Sequence, residues 1–135
     1  MTAAVYVDTS AIGRVLLGEP GGAAVLRGLA DFERHVASRL MRVELRRLAL
    51  REDALDAADR LLRGVALIPL DDRILAAAET VPPTTVATLD AIHLATALRL
   101  ATAGVLDTVM TYDARLAAGA EKHGLHVIAP APTRG

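Results

Sequence analysis

The chain has 135 residues, 53% of them hydrophobic and only 2% aromatic, so Ala, Leu and Val must build one compact core and no aromatic platform exists for stacking nucleobases. It contains no Cys, which excludes disulfides and thiolate metal sites. The net charge of −1 argues at first against a nucleic-acid partner, yet 14 of the 15 basic residues are Arg, the better bidentate phosphate ligand, although a codon bias toward Arg would give the same excess.

In chain order, Ala4 to Val7 is an apolar run of strand type that ends at Asp8. Its N-terminal flank lacks a positive segment and reaches an acid within eight residues, unlike a signal peptide. Ser10 to Leu17 and Gly21 to Ala30 read as short helices separated by the breaker Gly18-Glu-Pro20-Gly-Gly. His35 to Ser38 is a second strand, Leu40 to Arg51 and Asp53 to Arg63 are helices, and Ala66 to Leu70 is a third strand. Asp72 to Glu79 is a helix followed by the Val81-Pro82-Pro83 loop, and Thr88 to Ala103 is a long helix with Thr88 as N-cap and Gly104 as its stop. Asp107 reads as a turn before the strand Thr108 to Tyr112. The helix Ala114 to His123 is stopped by Gly124, and the strand His126 to Ile128 closes the fold. The domain is expected over residues 1–130, with a loose tail at 131–135. No apolar run reaches the roughly 20 residues of a membrane span, and a cytoplasmic protein is expected.

Strands alternating with helices imply an α/β fold, a parallel sheet with helices on both faces. In such sheets the site lies beyond the carboxyl ends of the strands. Four acids, Asp8, Glu44, Asp90 and Asp113, stand where strands give way to helices or one turn into those helices, each in an apolar setting. Gathered at one rim they would repel and raise one another's pKa values, and a divalent cation would relieve that repulsion.

Each acid also has a plainer explanation. Asp8 and Asp113 suit turns or N-caps, and Asp90 suits the positive end of a helix dipole. Glu44 falls with Leu40, Met41, Leu45 and Leu48 on the core-facing side of its helix, where a solvent-facing Glu does not belong; pairing with Arg47 or Arg51 at the stripe's edge is the alternative. His93, three residues from Asp90 on the same helix, reads as packed or carboxylate-bonded rather than as a ligand, because hard cations take oxygen. Ser10 could cap the first helix, touch a metal-bound water or hold Asp8. Arg39, Arg42 and Arg46 gather opposite Glu44, as RNA-phosphate contacts or as a solvated face. There is no P-loop, Rossmann spacing or Gly-x-Ser-x-Gly elbow. A receiver domain would need a Lys beyond a late strand, whereas the only Lys, Lys122, lies inside an expected helix. A haloacid-dehalogenase-type phosphatase would need a second acid where Ser10 stands.

Tyr-Val-Asp8-Thr-Ser10-Ala, Ser38-Arg-Leu-Met-Arg-Val-Glu44-Leu, Leu89-Asp90-Ala-Ile-His93-Leu-Ala-Thr-Ala and Thr111-Tyr-Asp113-Ala-Arg-Leu resemble the PIN-domain family, and look most like its VapC branch of ribonuclease toxins from type II toxin–antitoxin pairs. All four acidic positions are filled. The resemblance implies a single PIN-like domain with about five parallel strands, Mg²⁺ or Mn²⁺ at the acids, RNA hydrolysed by a metal-activated water, a homodimer and a neutralising VapB-like antitoxin. On that basis Asp8, Asp90 and Asp113 are expected metal ligands, Glu44 orients or deprotonates the attacking water, and Ser10, His93 and Thr111 position the carboxylates. The competing reading is a non-catalytic PIN-fold module that binds a protein partner.

Overall fold

The computed structural model describes residues 3–132, in which strands β1 (Ala4–Val7), β2 (Arg34–Ser38), β3 (Ala66–Ile68), β4 (Leu106–Met110) and β5 (His126–Ile128) alternate with helices. These are α1 (Thr9–Leu16), α2 (Pro20–Leu29), α3 (Arg39–Arg51), α4 (Leu55–Leu62), α5 (Asp72–Ala78), α6 (Thr88–Thr102) and α7 (Ala114–Lys122). The sheet is parallel throughout, in the order β3-β2-β1-β4-β5.

Both sides of the sheet are covered. The period-two alternation of strand side chains sends Val5 and Val7 to a cluster with Ile12, Val25, Met41 and Leu45 from α1 to α3. Ala4 and Tyr6 point the other way, into a cluster with Leu94 and Ala97 of α6 and Leu116 and Ala120 of α7. Covering on both faces explains why β1 is apolar along its whole length rather than alternating.

From β1 the chain moves outward through β2 to β3, then returns to lay β4 against the other side of β1. The strand order therefore reverses between β1 and β4. Connections leaving these two strands in opposite directions open a crevice beyond their carboxyl ends, the usual ligand position in open α/β sheets. Asp8 and Thr111 are the first residues beyond those two strands.

All the expected elements form, with differences that have local causes. Pro20 opens α2 at its first turn instead of breaking the chain, since its missing N–H would be unpaired there anyway. Only Leu17, Gly18 (φ 64°) and Glu19 separate α1 from α2. Gly22 is needed inside α2 because a Cβ there would lie 2.8 Å from the Arg14 carbonyl oxygen of α1. The helix expected from Asp53 starts at Leu55, since Asp53 adopts the left-handed conformation (φ 52°) that ends α3. Ala54 N–H then returns 2.8 Å to the Ala49 carbonyl, the six-to-one bond of a Schellman turn. Gly104 (φ 77°) and Gly124 (φ 85°) end α6 and α7 as their positions suggested. Thr88 is not the cap of α6: Ala87 holds that position without a side-chain bond.

Asp107 is not a turn but the second residue of β4, which begins at Leu106 because Leu106 pairs with Ala4. The strand also ends two residues earlier than expected, at Met110, so Thr111 and Tyr112 lie in the connection and are free to reach the site. Residues 133–135 of the expected tail lie outside the described residues. Among the described residues, no helix is long and apolar enough to cross a membrane.

Candidate active site

Asp8 takes an extended conformation at the end of β1 and becomes the N-cap of α1, accepting the Ala11 amide at 3.4 Å. It is 4% exposed. Its Oδ1 accepts the Ser10 hydroxyl at 2.7 Å and its Oδ2 accepts the Thr111 hydroxyl at 2.8 Å. Burial pushes the carboxyl above the ordinary Asp value, and the two hydroxyl bonds offset part of that push. Ser10 holds Asp8 and does not cap the helix. Its Oγ also accepts the Tyr112 amide at 2.8 Å, which ties the end of β1 to the end of β4.

Asp113 is the N-cap of α7, accepting the Arg115 and Leu116 amides at 2.9 and 3.0 Å, while its own amide donates to the Thr111 hydroxyl at 3.0 Å. Asp90 lies in the first turn of α6. Three helix N-termini, of α1, α6 and α7, thus each present an aspartate to the same rim, where their partial positive charge favours anions. The Asp90 carboxyl is pushed up to about 7, first by burial, then by a hydrogen bond with Asp113 and by that residue's charge. Against the upward push of its own burial, Asp113 is held below the ordinary value by the Leu116 amide, the bond with Asp90 and the Arg115 amide. Burial and the neighbouring Asp113 thus both favour the protonated form of Asp90, while the amides at the start of α7 favour the charged form of Asp113.

Glu44, in the second turn of α3, is half-buried and pairs with neither Arg47 nor Arg51. Its Oε1 accepts the Thr9 hydroxyl at 2.9 Å and meets His93 Nε2 at 2.7 Å. His93 is buried and bound to a carboxylate, and its Nδ1 lies 2.7 Å from the Tyr6 hydroxyl, which accepts the Ser38 amide at 3.2 Å. Tyr6 and Thr9 were not singled out in the sequence. The only available signal was Tyr6 as the one aromatic side chain two positions before Asp8, on the face of β1 that meets α6.

The fold therefore brings Asp8, Asp90 and Asp113 to one edge, with Glu44 attached through His93 on the helix that carries Asp90. Among the described residues, no group of three or more His, Asp or Glu side chains is arranged to hold a metal ion as it stands. The carboxylates are instead bonded to hydroxyls, to an imidazole and to backbone amides. Their chemistry nonetheless suits a hard divalent cation. Every donor is oxygen, and the charge of Asp113 that helps to push Asp90 up marks a repulsion that a cation would relieve.

Arg42 and Arg46 lie two residues either side of Glu44, which turns them roughly 200° away around α3. With Arg39 and Arg47 they flank an open groove of about 380 Å³ containing the exposed Val43 and Leu50, and Arg46 is tied to Asp59 of α4. A hollow of about 300 Å³ adjoins Thr9, Ser10 and Arg14, where the Arg14 guanidinium stacks 3.8 Å from the Tyr112 ring centre.

Residues 5–122 match the PIN domain family. The chain is 42% identical to ribonuclease VapC46 of Mycobacterium tuberculosis, in a match covering 95% of this chain and 98% of that protein. It is 34% identical to ribonuclease VapC47 of the same species, covering 96% and 99%. Ribonuclease VapC35, also of that species, is likewise 34% identical over 96% of this chain.

Proposed function

Given that the chain belongs to the PIN-domain family, we propose that it is a divalent-cation-dependent endoribonuclease of the VapC kind. The observation that carries this reading is the placement of Asp8, Asp90 and Asp113 at three helix N-termini beside the switch point of the sheet, with Asp8 buried. Asp8, Asp90 and Asp113 hold the cation. Mg²⁺ or Mn²⁺, when bound, supplies a Lewis acid that neutralises charge on the scissile phosphate of the RNA. Ser10 and Thr111 fix the rotamer of Asp8 through one hydrogen bond to each of its oxygens. Glu44 orients the attacking water and takes its proton. Because the acids act on the phosphodiester and stand at an open rim, the substrate is a polymer laid across the edge rather than a molecule enclosed in a pocket.

The arginines at 39 and 42 are the candidate phosphate contacts away from the reacting centre; Arg46 is a weaker one because Asp59 already engages it. The expected partners are a VapB-like antitoxin and a second copy of the chain. Exposure of Leu26, Val43 and Leu50, each more than half exposed, supports protein contacts on α2 and α3.

The test is incubation of the purified, antitoxin-free protein with total RNA and Mg²⁺ or Mn²⁺, beside an Asp8→Ala protein and an EDTA control. Discrete fragments lost in both controls are expected. A folded wild-type protein that leaves transfer, ribosomal and messenger RNA intact with either cation would overturn the reading.

A further inference from the structure

We propose that Tyr6, buried beneath the rim, is a positioning residue that acts through His93 to fix the side chain of Glu44. The inference rests on the ribonuclease reading above for its catalytic consequence, but its structural part stands on the hydrogen-bond geometry alone.

Hydrogen counting along the chain of contacts gives its direction. The Ser38 amide donates to the Tyr6 oxygen at 3.2 Å, and the Tyr6 hydroxyl hydrogen goes to His93 Nδ1 at 2.7 Å because the Glu44 carboxylate, on the other side of the ring, accepts from Nε2. Nδ1 is then an acceptor, and the ring carries its hydrogen on Nε2. That hydrogen points at Glu44 Oε1, 2.7 Å away, where a lone pair would instead face a carboxylate. Thr96, one turn along α6, spends its hydroxyl hydrogen on the Ile92 carbonyl at 2.7 Å and does not compete for the imidazole. Tyr6, Ser38, His93 and Thr96 are all buried, so water does not substitute for any of these partners.

The two donors that reach Glu44, Thr9 and His93, both end on Oε1. Oε2 carries no hydrogen bond among the described residues, which leaves one carboxylate oxygen to face the crevice. Thr9 comes from α1 and His93 from α6, so the glutamate of α3 is clamped from two directions. The tyrosine anchors the far nitrogen of the ring, the anchored ring presents its Nε2 donor, and the donor selects which oxygen of Glu44 stays available. Phe in place of Tyr6 would fill the same volume but leave Nδ1 without its donor, so the ring would lose one of the two contacts that hold its orientation toward Glu44.

The experiment has two readouts. ¹⁵N chemical shifts of the imidazoles are recorded in the metal-free protein, with His93 assigned by its disappearance in His93→Gln. The wild type is expected to show His93 as the Nε2–H form with a hydrogen-bonded Nδ1, and Tyr6→Phe to show the Nδ1 resonance shifted to that of a nitrogen without a donor. A wild-type Nδ1–H or doubly protonated ring, or a Tyr6→Phe ring unchanged from wild type, would overturn the inference. In RNA cleavage, Tyr6→Phe should lower kcat by about tenfold with KM unchanged. His93→Gln, which keeps a donor toward Glu44, should retain more kcat than His93→Leu, which has none. Equal loss in the two His93 variants would overturn the role assigned to the donor, and this pair decides the matter if Tyr6→Phe does not fold. Absence of cleavage by wild type sinks the ribonuclease reading alone, because the tautomer measurement needs neither metal nor substrate.

Discussion

Asp90, in the first turn of α6, and Asp113, the N-cap of α7, come from different helices yet stand close enough for the charge of Asp113 to help raise the Asp90 carboxyl. α6 and α7 pack in the same layer through Leu94, Leu116 and Ala120, so the core beneath the rim sets the separation of the two acids above it. The arrangement holds an unfavourable charge pair in place for a ligand that would make it favourable.

This predicts the pH response of the metal-free protein. The Asp90 carboxyl titrates at about 7 in the folded state against 3.8 unfolded, so the folded state binds more protons between those values. Stability from this group is therefore highest at low pH and is lost as pH rises from about 4 to about 7. Burial of Asp8 acts in the same direction, while the lowered Asp113 contributes only as pH falls below its ordinary range. Asp90→Asn should raise the melting temperature in EDTA at neutral pH and leave it nearly unchanged at pH 4. Melting temperature against pH for the two proteins checks this; parallel curves would count against a raised Asp90 carboxyl.

Replacing Asp8 by Asn should lower cleavage by at least about a hundredfold, since losing a ligand removes several kcal/mol of charge stabilisation. The fold should survive, because the amide is of nearly equal size and removes a buried charge. Single-turnover cleavage and circular dichroism on the same preparation separate the two effects.

Ser10→Ala should destabilise the protein by about 1–3 kcal/mol, because it strands the Tyr112 amide that now donates to Ser10 Oγ at 2.8 Å. The same change leaves Asp8 held by Thr111 alone on the hydroxyl side, so activity should fall as well. Urea unfolding gives the first quantity and cleavage rate the second.

Asp53→Gly should stabilise the protein by about 0.5–1 kcal/mol, since Asp53 occupies the left-handed region (φ 52°) that a side chain resists. An unchanged or lower urea midpoint would show that the Asp side chain contributes locally what the backbone strain costs.

Much of this was legible in the chain. The acids at the ends of β1 and β4 could be read because an apolar run ending in a carboxylate is unusual, and Glu44 because it interrupts the buried stripe of α3. His93 could be read as a carboxylate-bonded residue, although nothing local named Glu44 as its partner. That pairing depends on how α3 and α6 meet across the sheet, as do the contacts of Thr9 and Tyr6. Strand bounds were the other weak point. Asp107 resembles a turn residue, but pairing of Leu106 with Ala4 draws it into β4; the ladder ends with Val7 on Met110, which leaves Thr111 beyond the strand, where its hydroxyl reaches Asp8. The cap of α6 was misread for a similar reason: Thr88 has the right chemistry, but the helix begins one residue earlier, with the Ala91 amide on the Ala87 carbonyl.

The claim that Asp8, Asp90 and Asp113 form a divalent-cation site is tested most directly by titrating Mn²⁺ calorimetrically into metal-free protein near pH 6.5, in buffers of different ionisation enthalpy. Binding coupled to release of up to about one proton, with both the binding and the release weakened in Asp90→Asn, is the expected result. Absence of Mn²⁺ binding, or binding with the same proton release in Asp90→Asn, would contradict it.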